Sequence, residues 1–148
     1  MRHLLENERR KMDKTIMNTE NVKLCLKNKW NINPFDFWIP LHGNVDENSI
    51  YFDNDDFEEF FGYDRINKIL KEINVGRIYS FNEANEEKSY SEILIKEYNS
   101  PDIFITNENA DWVIYQTHEN TIAFAGMELI EKIKSNWTNW KEKVNPWE

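Results

Sequence analysis

The chain has 148 residues, 14% of them aromatic, which suits one domain with a substantial core. Its 18 Lys and Arg against 27 Asp and Glu leave a net charge of −9, which repels phosphate backbones and anionic headgroups and disfavours direct binding to nucleic acid or membrane. A single cysteine, Cys25, excludes an intrachain disulfide and a four-cysteine zinc framework, and fits a cytoplasmic location.

The charge is unevenly placed. Residues 1–29 carry eight basic and four acidic groups, a balance of +4, so residues 30–148 carry −13. The start, "MRHLLENERRKMDK", lacks the apolar stretch of a secretory signal, and no run of about 18 apolar residues follows anywhere. Residues 1–18 are expected to form a flexible or helical arm, with Met12 and Met17 as alternative starts, and residues 19–148 a single α+β domain.

In chain order, "NTENVKLCLKNKW" allows a short helix or a strand, and a cap at Asn18 or Thr19 with lysines toward the C-terminal end favours the helix. The Pro- and Gly-containing "INPFDFWIPLHGN" reads as an apolar loop or edge strand. "SIYFD" reads as a strand. A helix capped by Asn54 or Asp55 follows, with Phe57, Phe60, Phe61, Ile66, Ile69, Leu70 and Ile73 turned inward across Gly62. Gly76 ends that helix and "RIYSF" opens a strand.

"EILIKEY", "DIFIT", "DWVIYQT" and "TIAFA" then have the spacing of an antiparallel meander, the last two as a hairpin. Both alternating sets in "DWVIYQT" are apolar, which predicts a central strand covered on both faces. A final helix from Met127 carries Ile130, Ile133, Trp137, Trp140 and Val144 as one stripe. The fold class is α+β: a mostly antiparallel sheet of five to six strands packed by helices.

The unusual segment is Asn44 to Arg65. Between Asp46 and Asp64 it holds eight carboxylates and neither Lys nor Arg, interleaved with Tyr51, Phe52, Phe57, Phe60, Phe61 and Tyr63. A calcium loop counted from Asp53 fails, because Phe57 falls at position five and Glu58 at six, where an oxygen ligand and a turn glycine are needed. Part of the acid is explained locally, since Asp53, Asp55 and Asp56 sit where a helix N-terminus favours negative charge.

Catalytic constellations are sparse. Cys25 between Leu24 and Leu26 reads as a buried thiol, and His118 with Glu119 as the polar tip of a hairpin. His3, His42 and His118 are too scattered for zinc, and the four glycines form no phosphate loop. No cofactor or metal is called for. Two carboxylates of a glycosidase type are permitted by 27 acids without being indicated.

Binding remains. Acidic groups steer association with a basic surface and aromatic anchors supply desolvated contact, so the candidate partner-binding residues are Asp46, Glu47, Asp53, Asp55, Asp56, Glu58, Glu59, Asp64 and Tyr63. The competing reading is an acidic face that only keeps the protein soluble.

The run "DWVIYQTHENTIAFAG" followed by "MELIEKIKSNWTNW", a Trp-bearing strand, a His-Glu turn, an apolar strand ending in Gly126 and a Trp-ended helix, resembles small bacterial immunity proteins encoded beside polymorphic or contact-dependent toxins. The similarity covers roughly residues 77–140 and rests on a structural hairpin and helix. It implies a small, acidic, cytoplasmic, non-enzymatic protein that neutralises a cognate toxin, often a nuclease with a basic cleft. It carries over no contact residue. The N-terminal helix and tryptophan pattern differ from those of the immunity superfamily related to yeast cell-wall regulators. A small carboxylate hydrolase using His118 and an adaptor domain in a larger assembly are the alternatives.

Overall fold

The computed structural model describes residues 19–32, 49–82, 86–91, 95, 102–117 and 119–143. Among them, six strands make one antiparallel sheet: β1 (Ser49–Asp53), β2 (Ile78–Asn82), β3 (Glu87–Tyr90), β4 (Ile103–Asn107), β5 (Val113–Gln116) and β6 (Thr121–Ala125). Their spatial order is β1-β6-β5-β4-β2-β3. The expected α+β class is present, and so are the last three strands of the expected meander, with Ile105 opposite Ile114 and Ile114 opposite Phe124.

Helix α1 (residues 19–30) covers one face of the sheet. The other face is covered by α2 (Asn54–Phe60), α3 (Tyr63–Ile73) and α4 (Met127–Asn136), with α5 (Trp140–Lys143) after them. The two-residue period of the strands explains the division. Tyr79, Phe81, Phe104, Val113, Tyr115, Ala123 and Ala125 point to the α1 side, while Ile78, Ile105, Ile114, Ile122 and Phe124 point to the other. Every residue of β5 is buried, as expected for a central strand. Trp112 and Trp137 are 2% and 5% exposed, which bears out their assignment to the core.

Several expectations are corrected. The predicted helix across Gly62 is two helices, because Gly62 takes φ +97 and its N–H donates to Phe57 O at 2.8 Å, ending α2. Its own carbonyl then accepts from Ile66 N and begins α3. The cap of α2 is Asp53, not Asn54 or Asp55: its extended backbone lets Oδ1 accept from Asp55 N at 2.9 Å. Phe60 does not turn inward. It is 44% exposed, because Phe57 and Phe61 already fill the core-facing side of this short helix.

The C-terminal stripe also breaks. Trp137 leaves the helix with extended φ and ψ, buries its ring against Phe52 and Phe61, and the chain restarts as α5 with Trp140 only partly buried. Gly126, which precedes α4, has φ +113, and a Cβ there would lie 2.5 Å from Asp111 O and 2.9 Å from Trp112 Cα. Only glycine lets β6 pass this close to the start of β5.

Strand β3 is an addition, since "EKSY" has no apolar alternation and gains its structure from pairing with β2. Residues 1–18, most of "INPFDFWIPLHGN", and "EILIKEY" apart from Ile95 lie outside the described residues, as does Val144. Ile95 is buried, and Asn67 holds its backbone by two bonds: Asn67 Nδ2 donates to Ile95 O at 2.8 Å and Ile95 N donates to Asn67 Oδ1 at 2.6 Å.

Candidate partner-binding surface

The surface begins where β1 runs into α2. Asn54 N donates to Asn120 O at 2.7 Å, which ties the first turn of α2 to the β5–β6 connection. The Asn54 side chain is buried and its Oδ1 accepts from Tyr63 Oη at 2.8 Å, bracing α2 against α3 across the Gly62 break. Phe57 and Phe61 anchor α2 from below, 5.3 Å apart and packed with Phe124 and Trp137. The acidic helix therefore rests on an aromatic floor that fixes its orientation.

On that support Asp53, Asp55, Glu58, Glu59 and Asp64 are exposed and Asp56 is half-buried. Among the described residues, none of these six carboxylates takes part in an ion pair; the pairs lie elsewhere, as Lys23 with Glu20 and Glu87, Lys29 with Asp111, Lys88 with Glu86 and Lys132 with Glu72. Asp53 caps the helix, and Asp55, Glu58, Glu59 and Asp64 are solvent-exposed in the same stretch as Phe60. Two cations reach the aromatic rings: Arg65 stands 5.6 Å from the Phe61 centroid and Lys143 Nζ 4.1 Å from that of Phe60.

Of the residues singled out in the sequence, Asp53, Asp55, Asp56, Glu58, Glu59, Tyr63 and Asp64 thus come from one continuous stretch around α2 and its junction with α3. Asp46 and Glu47 lie outside the described residues. Tyr63 is half-buried, with its ring edge toward Phe57 and its hydroxyl on Asn54, so the exposed aromatic here is Phe60. Sequence periodicity hid the exposure of Phe60, because Phe57, Phe60 and Phe61 at i, i+3 and i+4 fit a single apolar stripe, whereas α2 ends at Phe60 and of these buries only Phe57 and the C-cap Phe61.

The remaining chemistry-bearing residues do not converge. Cys25 is half-buried beside core residues of the α1 side. Glu119 is exposed in the β5–β6 turn, its N–H donating to Thr117 Oγ1 at 3.2 Å, and His118 lies outside the described residues. Among the described residues no three of His, Cys, Asp and Glu gather as metal ligands, and no helix is long and apolar enough to cross a membrane.

Two depressions flank α3. One, of about 470 Å³, is lined by Asn67, Leu70, Lys71, Asn74, Gly76 and Ser91 among others. The second, of about 570 Å³, lies between α3 and α4, where Arg65 donates to Asn136 O and Lys132 to Glu72.

Neither a protein-family model, nor a curated protein, nor a solved structure matches this chain.

Proposed function

We propose that this protein is a non-enzymatic binding protein that presents the α2 surface to a basic protein partner, and that it acts as an immunity protein neutralising a cognate bacterial toxin in the cytoplasm. The observation that carries the reading is the unpaired charge: six carboxylates, four on α2, one capping it and one at the start of α3, none ion-paired among the described residues, in the stretch that also exposes Phe60. Clustered like charge is costly to a fold and useful to an encounter, because it steers a cationic surface and excludes acidic competitors. A nuclease cleft built to hold phosphates is the kind of cationic surface this face complements.

The test is neutralisation. The protein encoded next to this chain's gene is expressed with and without the chain, and binding of the purified pair is followed at low and high salt. The reading expects rescued growth, together with an association rate that falls steeply with salt and falls again in Glu58→Gln/Glu59→Gln/Asp64→Gln. Rescue with a salt-independent rate that the triple variant leaves unchanged would move the interface elsewhere. An enzymatic product formed by the chain alone would overturn the reading.

A further inference from the structure

Of the two cations that lie on the rings of the acidic surface, Arg65 comes from α3 itself and the other is delivered from the far end of the described chain. Lys143, at the end of α5, lays its ammonium 4.1 Å from the centre of the Phe60 ring. Helix α5 has four residues and none of them is buried. Its hold on the rest of the fold comes mainly from Trp140, partly buried against the core and itself flanked by Lys134 and Lys141 at 4.4 and 5.8 Å. Withdrawing Lys143 from Phe60 therefore needs a side-chain rotation and leaves Trp140 in place.

Asp56 precedes Phe60 by four positions in α2 and shares its helix face. Among the described residues Lys143 makes no ion pair, so it satisfies the ring and leaves that carboxylate open. A guanidinium can do both. It stacks flat on an aromatic face while its edge N–H groups donate to a carboxylate, whereas an ammonium is a compact, strongly hydrated point charge.

We propose that Phe60 and Asp56 form a subsite for an arginine side chain of the partner, and that Lys143 is an internal stand-in which that arginine displaces. The inference rests on the reading of the α2 surface as an interface and adds the chemistry of its central contact. It also gives Lys143 a role: the ring stays covered until a better cation arrives, which suppresses weak binding to lysine-rich surfaces.

The experiment uses fluorescein-labelled hexa-arginine and hexa-lysine, with anisotropy measured at low salt. The wild type should bind hexa-arginine more tightly than hexa-lysine. Phe60→Leu should weaken hexa-arginine about two- to fivefold, the range expected of one exposed cation–π contact. Lys143→Gln should strengthen it by a similar factor, and that gain should shrink in the Phe60→Leu background, where only the change of charge remains. Equal gains from Lys143→Gln in both backgrounds, with Phe60→Leu binding like wild type, would overturn the subsite. In that case loss of binding in Glu58→Gln/Glu59→Gln/Asp64→Gln would still support the acidic surface as the interface. Binding that the triple variant leaves unchanged, or no binding of either peptide to the wild type, would overturn both.

Discussion

Helices α1 and α2 lie on opposite faces of the same sheet and treat their charges in opposite ways. On α1 several polar groups reach the fold: Lys23 pairs with Glu20 and with Glu87 of β3, Lys29 donates to Asn109 O and pairs with Asp111, and Trp30 Nε1 donates to Ala110 O. On α2 the apolar side holds the helix to the sheet, while Asp55, Asp56, Glu58 and Glu59 make no ion pair among the described residues. Charge that docks a helix and charge that faces outward for a partner have different signatures, and the difference can be measured by removing each.

The largest effects belong to the sheet that both helices share. Trp112→Ala should cost about 3 to 5 kcal/mol, as truncations of large core residues do, measured by urea unfolding. Trp112→Phe should be far milder. The indole Nε1 is buried with no hydrogen-bond partner among the described residues, so removing it relieves a desolvated donor and offsets part of the smaller ring's cavity, leaving a net change within about 2 kcal/mol. A Phe variant as damaged as the Ala variant would show that the N–H is satisfied.

Asn67→Ala comes next. It strips both partners from the buried backbone of Ile95, and each orphaned group costs about 1 to 3 kcal/mol. Asn67→Asp should recover part of that loss, because a carboxylate can still accept from Ile95 N while it cannot donate to Ile95 O.

A smaller effect sharpens the α1 side of the comparison. Burial alone would lower the Lys23 pKa, but the hydrogen bonds and charges of Glu87 and Glu20 outweigh it and hold the group above the ordinary lysine value of 10.5. A lysine raised in the folded state contributes stability that is complete below the unfolded pKa and is lost as pH rises through the folded one. Urea titrations of wild type and Lys23→Met should therefore differ by a constant amount from neutral pH to about pH 10 and converge above 10.5. A difference that persists undiminished at pH 11.5 would assign the effect to packing of the lysine stem.

Most of the scaffold is legible in the sequence because it follows periodicity. The two apolar sets of Trp112 to Tyr115 mark a strand buried on both faces, and Ile66, Ile69 and Leu70 mark the inner stripe of α3. Illegible features depend on partners distant in sequence. Strand β3 exists because β2 pairs with it, and the break at Trp137 exists because Phe52 and Phe61 receive its ring. The acidic surface lies between these cases. Its carboxylates could be counted in advance; the cap role of Asp53 and the exposure of Phe60 turn on where a short helix begins and ends, and the ammonium of Lys143 upon Phe60 requires residues about 80 positions apart to meet.

The most direct test of the contrast between the two helices needs no partner. Urea midpoints are measured at low salt for Glu58→Gln/Glu59→Gln/Asp64→Gln and for Glu87→Gln/Asp111→Asn, two variants that remove charge from the α2 and α1 sides respectively. Outward charge that only repels itself predicts a triple variant at least as stable as wild type, and an α1-side variant that is less stable by about 0.5 to 2 kcal/mol for its two pairs. Equal destabilisation of the two would show that the carboxylates of α2 hold the fold together and are not a surface left for a partner.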